Sequence, residues 1–198
     1  MELSRTYYWR VDFVIAGPTP AIIKGPVLKF TTAALTYPIK NITATASSAQ
    51  RGNGPEKTVD GSGLDTSDGH SINGTDMWWS LGKSPNWIQY EFDRVYVLHE
   101  LWVWNSNQIV EPVVGFGART VKIEYSTDGT TWTALANVPE FAKAPGKTGY
   151  TPNTIVSFAG VPAKFVKLTV EKNWGVAPQT GLSEVRFFAI QSAAIPKP

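Results

Sequence analysis

Apolar and polar side chains alternate with a period of two over several short stretches, which marks strands with one buried face. Tyr90-Glu91-Phe92-Asp93 alternates, and Ile88 continues its apolar face. Val121, Ile123 and Tyr125 oppose Lys122 and Glu124, while Val166, Leu168 and Val170 oppose Lys167, Thr169 and Glu171. Further strands are predicted over 99–104, 154–158 and 183–190. Between two of these runs, Ser126-Thr127-Asp128-Gly129-Thr130-Thr131-Trp132 places Asp-Gly where a tight hairpin turn needs it. Helical periodicity is scarce, and 14 Pro and 17 Gly punctuate the chain. Short strands separated by Gly/Pro-rich loops predict an all-β sandwich.

The first 32 residues differ from the rest. Two strands, Thr6–Asp12 and Gly25–Thr32, flank a Pro/Gly-rich loop. This pair resembles the last hairpin of a fibronectin type III domain, without the five strands that precede it there. An isolated hairpin is marginal in water, so it either packs on the main module or is loosely held. The expected organisation is a hairpin fragment at 1–32, a linker at 33–37, a sandwich at 38–190 and a tail at 191–198. Met1 leads into Glu-Leu-Ser-Arg and then a strand, with no apolar stretch of the signal-peptide kind, so the chain reads as a piece of a longer protein.

Composition narrows the function classes. Of the 198 residues 42% are hydrophobic and 17% charged, which fits a folded domain. The 18 basic and 16 acidic side chains give a net charge of +2 without long runs, so there is no cationic stripe for a nucleic-acid backbone. No apolar run approaches the roughly 20 residues needed to span a bilayer. Cysteine is absent, which excludes disulfides, thiolate metal sites and cysteine catalysis. The 8 Trp and 7 Tyr point either to core packing or to a wet stacking surface, since both rings carry a polar group that needs a partner.

A series of motifs runs in order along 41–190: Ala46-Ser47-Ser48, Val59-Asp60-Gly61, Trp78, Trp87-Ile88-Gln89-Tyr90-Glu91-Phe92, Leu101-Trp102-Val103-Trp104, Ile123–Trp132, Phe165-Val166-Lys167-Leu168 and Ser183-Glu184-Val185-Arg186-Phe187. In this order they resemble the discoidin, or coagulation factor V/VIII type C, family, which includes bacterial galactose-binding-like carbohydrate-binding modules. The resemblance implies a jelly-roll-like sandwich of about eight main strands with its termini close together. Many animal members clip those termini with a disulfide; a chain without cysteine fits a bacterial origin better. The stretch between Gly61 and Trp78 is longer than in bacterial relatives.

That stretch is rich in hard oxygen donors, which calcium takes six to eight at a time. The resemblance implies a structural calcium held by Asp60, Ser62, Asp76 and, from the last strand, Glu184. The same carboxylates and hydroxyls would otherwise cap turns. Sugar binding needs an aromatic face and planar polar groups around it. In the family these sit on loops at one end of the sandwich, which implies Trp174, Trp79, Arg119, Asn105, Asn107, His70 and Phe116 as ligand-contact candidates. Trp174 leaves a strand into a loop, and Trp79 follows Trp78, so alternation turns it outward. Structural roles for the same residues are a lid over the sandwich end and ordinary exposed polar groups.

The two histidines, His70 and His99, join no nucleophile–base set, and no nucleophile elbow, phosphate loop or zinc-binding helix motif occurs. The expectation is therefore a non-catalytic carbohydrate-binding module of a larger secreted or cell-surface protein, probing oligo- or polysaccharide for covalently attached neighbouring domains. The alternative is an adhesion or scaffold domain for protein or lipid head groups.

Overall fold

The structure, a computed structural model, describes residues 5–18, 21–32 and 34–191. It divides into two compact units, one of Tyr37–Ile190 and one of the described residues up to Thr36 with Gln191. The expected tail at 191–198 lies outside the described residues apart from Gln191, whose N–H donates to Leu35 O at 2.8 Å.

The smaller unit is an antiparallel hairpin. Strand β1 (Thr6–Trp9) pairs with β4 (Leu28–Thr31), and β2 (Asp12–Ile15) with β3 (Ala21–Lys24). Tyr7 faces Phe30 across the ladder, with ring centroids 5.7 Å apart. Trp9, Phe13, Val14, Ile22 and Ile23 remain exposed.

The larger unit holds eight strands: β5 (Thr36–Pro38), β6 (Ile42–Ala46), β7 (Trp78–Trp79), β8 (Asn86–Asn105), β9 (Ala118–Ser126), β10 (Thr133–Ala134), β11 (Thr154–Asn173) and β12 (Gly181–Ile190). Their hydrogen-bonded order is β10-β9-β11-β8-β12-β5, with β6 added to β8 and β7 to β12. Strands β8 and β11 are each 20 residues long and pair antiparallel along their whole length. The first half of β8 pairs with β6, the second half with β12. The runs expected separately at 88–92 and 99–104 are thus one strand, as are those at 154–158 and 166–170. Register shifts between Ser157 and Val161 and between Ala163 and Phe165 interrupt the β8–β11 ladder midway. Extra residues of this kind bend and twist a strand, so one sheet folds over into both layers of a sandwich.

Alternation supplies the core between the layers. Ile88, Tyr90 and Phe92 meet Leu101, Val103, Ile123, Val166, Leu168 and Phe187, all fully buried or nearly so. Tyr90, Phe92 and Phe187 pack edge to face at 5.1–5.2 Å. The Asp-Gly turn forms as expected: Asp128 accepts the N–H groups of Thr130 and Thr131, both at 2.8 Å, and Gly129 takes the positive φ of +77°.

A second apolar cluster lies apart from the first. Trp104, Ala144 and Tyr150 are buried with Leu64 and Trp102 packed against them. Its cover comes from the loop expected as an insertion, residues 61–76, and from residues 141–153.

Candidate functional site

The site grows from the ends of three neighbouring strands. Strand β8 begins at Asn86, β9 at Ala118, and β11 ends at Asn173. Pairing of Val170 with both Asn86 and Val121 brings these ends together. Register shifts on either side of Lys172 leave Arg119 and Glu171 without ladder partners at the sheet's end. Asn173 then shapes the loop that follows: its amide donates to Ala177 O at 2.6 Å and Gln179 O at 2.9 Å, and its carbonyl accepts Gly175 N–H at 3.1 Å.

This arrangement fixes Trp174. Its N–H donates to Gly117 O at 3.0 Å and its indole N–H to Phe141 O at 2.8 Å. Gly115 has φ +72°, and a Cβ there would sit 2.6 Å from the Trp174 carbonyl carbon, so only glycine lets the 106–117 loop approach this closely. The Arg119 guanidinium lies over the Trp174 ring, 4.6 Å from its centroid. Its Nε and Nη2 donate to the Glu140 carboxylate at 3.1 and 3.3 Å. A groove of about 460 Å³ opens beside this stack, lined by Ser84, Asn86, Arg119, Lys172, Asn173 and Trp174 among others. It offers a half-buried aromatic ring, a fixed planar cation, the Ser84 hydroxyl and the Lys172 ammonium, which suit a polar ligand with apolar faces.

Other candidates need correction. Asn105 is fully buried; its amide donates to Ala118 O and Ala142 O at 2.7 and 2.9 Å, and its carbonyl accepts Ser106 N–H at 3.0 Å. Asn107 is equally buried, donating to Ser71 O and Lys147 O and accepting Gly146 N–H. Both amides are spent inside the protein as braces between loops. His70 is buried too, with Nδ1 on Ser71 O at 3.0 Å and Nε2 unpartnered, and burial holds its pKa below the ordinary histidine value. Its N–H donates to Tyr150 O at 2.8 Å, fastening the two covering loops together. Trp79 does not turn outward: it is 8% exposed and meets Phe116 at 4.6 Å. Strand β7 is two residues long, with Trp78 on the core and Trp79 beneath the 106–117 loop, so alternation has no free face to point to. Phe116 is half-buried against it. Of the seven ligand candidates only Trp174 and Arg119 line the groove. Asn86, Lys172 and Asn173 line the groove beside them, and Glu140 pairs with Arg119, an ion pair spanning 21 residues that leaves no local pattern.

The proposed calcium ligands separate likewise. Glu184 on β12 is 5% exposed and its Oε2 has no partner. Burial first, and then the nearby Asp60 charge, push its pKa up to about 8. Ser62 Oγ is another buried atom without a partner, and Asp60 accepts Ser62 N–H at 2.7 Å. These are hard oxygens in want of a cation or a proton. Asp76 is otherwise engaged, accepting from Ser71 Oγ at 2.7 Å and Asn73 Nδ2 at 3.3 Å. Among the described residues no three His, Cys, Asp or Glu side chains gather on one point, so any cation would need backbone carbonyls as well. Among those residues, too, no helix is long and apolar enough to cross a membrane.

The chain resembles solved structures at low identity. A family 32 carbohydrate-binding module from Clostridium perfringens NanJ, in complex with galactose, is 16% identical with a TM-score of 0.57 over 78% of this chain and 99% of that one. A pectin-binding carbohydrate-binding module is 21% identical, TM-score 0.52, over 82% of this chain and 95% of that one. A family 89 glycoside hydrolase from C. perfringens matches 78% of this chain at 16% identity and TM-score 0.55, and the match spans 15% of the enzyme. No curated protein sequence matches. The family model of the F5/8 type C domain matches residues 43–183, so the chain belongs to the F5/8 type C, or discoidin, family.

Proposed function

We propose that this domain binds glycan without catalysis, through the groove at Arg119 and Trp174, and serves to hold attached domains of a larger secreted or surface protein near their substrate. The carrying observation is the fixed Arg119–Trp174 stack opening on a groove with Ser84 and Lys172 in its lining. An aromatic ring supplies a surface for the C–H face of a sugar, and Ser84 and Lys172 flank it with polar groups, while Asn86 and Asn173, whose amides are bonded within the protein, shape its wall. Two similar structures are described as carbohydrate-binding modules, one of them with galactose bound. A module of this kind acts by raising effective concentration rather than by turning over substrate.

A structural calcium fits the orphaned oxygens. Glu184, Asp60 and Ser62 would hold it, and the ion would tie the start of the 61–76 loop to β12. Its charge would satisfy a carboxylate that is otherwise buried at a cost.

Trp174→Ala is the test. Retention on a polysaccharide affinity gel is expected to be lost, with the melting temperature within a few degrees of wild type. Undiminished retention would move the site elsewhere, and an empty glycan array beside liposome or protein binding would favour the scaffold reading.

A further inference from the structure

We infer that the Arg119 groove selects an acidic glycan, a chain of sugars bearing carboxylates, and that Glu140 is a resident carboxylate against which such a ligand binds. This rests on the glycan-binding reading and names the ligand class.

A guanidinium has two planar faces and a rim of five N–H donors. One face of Arg119 is covered by Trp174 at 4.6 Å. The Nε–Nη2 edge is taken by Glu140. Its Nη1 makes no hydrogen bond to any described residue. Stacking thus holds the ring in orientation while leaving a free Nη1–Nη2 edge, which matches the two oxygens of a carboxylate. A carboxylate accepts from both donors with charge assistance, which a pair of neutral sugar hydroxyls lacks.

The charges around the groove support the same ligand. Lys172 lines it and Lys83 sits between the lining residues Gly82 and Ser84; both are exposed, and neither makes an ion pair within 4.0 Å among the described residues. Glu171 is the one acid in the lining, and Glu140 lies on the far edge of Arg119. Within the lining itself Arg119 and Lys172 stand against the single acid Glu171, so a ligand carboxylate meets two cations there. The Arg119–Glu140 contact is itself open to water, with side chains 43% and 55% exposed. Pairs like this are weak and screened by salt. Glu140 keeps the guanidinium oriented but also repels an incoming anion, so it sets the strength of acid recognition.

The test compares polygalacturonate with neutral β-1,4-galactan by affinity gel electrophoresis of the full chain at low and high salt. Stronger retention on polygalacturonate, weakening as salt rises, is expected. Glu140→Gln keeps the shape and one hydrogen bond but removes the repulsion. It is expected to tighten polygalacturonate binding about fivefold at low salt, the scale of one exposed charge pair, and to change galactan binding less than that. Lys172→Gln is expected to weaken polygalacturonate binding more than galactan binding. Equal retention on both polymers, or polygalacturonate retention that neither substitution nor salt alters, overturns the inference while the glycan reading stands. Retention on neither polymer overturns the inference, and a blank glycan array in addition would take the glycan reading with it.

Discussion

The groove at Trp174 and the contact of the 61–76 loop with β8 and β12 are built from the same materials, tryptophan, arginine and short polar side chains, yet they use them in opposite ways. Around Asp68 of the loop the strong groups are turned onto the protein. Trp104 donates its indole N–H to Asp68 O at 2.9 Å, and Arg186 forks the Asp68 carboxylate at 2.7 and 2.8 Å while lying 5.2 Å over the Trp104 ring. Asp68 is held at φ +61°, a conformation that costs a non-glycine residue energy and that these partners compensate. In the groove the parallel stack of Arg119 on Trp174 is closed on one edge only, by an exposed carboxylate. The same guanidinium–indole pair therefore serves as a structural clasp where its partners are internal and as a recognition surface where one edge is left open.

Removing the clasp is expected to have the largest effect. Trp104 is fully buried, and Trp104→Ala removes both its packing and the bond to Asp68. A loss of about 3–5 kcal/mol is expected, read from urea unfolding. Under conditions where the variant stays folded, glycan retention at the groove is expected to be unchanged. A parallel fall in retention would show that the two regions are one cooperative site, and the contrast would fail.

The sequence carries this contrast only in part. Alternation at 88–92, 121–125 and 166–170 marks the core strands correctly because a half-buried sheet leaves a period-two record in its own residues. It does not show that β8 and β11 continue from one layer into the other, since the bend is a matter of register between strands distant in sequence. Trp174 stands out in sequence because a bulky aromatic leaves a strand there, and the structure places it in the groove lining. Asn105 and Asn107 were not, since a polar residue near a loop looks the same whether it faces solvent or braces Ala142 and Lys147 from beneath. Glu140 was invisible for the same reason: its role exists only across space.

Calcium gives a smaller effect and sharpens the loop side of the comparison. If Glu184, Asp60 and Ser62 hold an ion, chelation is expected to lower the melting temperature, and calcium at a hundred times its Kd to restore about 2.7 kcal/mol. Glu184→Gln removes the charge but fills the same space, so it is expected to abolish the calcium response. A melt indifferent to chelator in the wild-type protein would leave the orphaned oxygens to a proton or to water.

The smallest effect tests what holds the 106–117 loop, which packs against the Trp174 backbone at Gly115. Glu111, on the single turn α1 (Glu111–Val114), is fully buried and accepts Gly117 N–H at 2.7 Å, so it pins the loop that carries Phe116. Burial raises its pKa above the ordinary value of 4.5, only partly offset by the backbone bonds. The folded protein therefore holds this proton more tightly than the unfolded chain does. The stability that Glu111 contributes is whole below pH 4.5 and declines as pH rises through the folded pKa. Glu111→Gln can accept the same N–H through its amide oxygen and cannot ionise, so its stability is expected to lack that decline, a difference within about 1 kcal/mol. Unfolding curves for the two proteins from pH 4 to 8 measure it. If they run parallel, the Glu111 carboxylate ionises at no net cost, and the 106–117 loop is held by its packing on Trp79 and Trp174 rather than by this buried group.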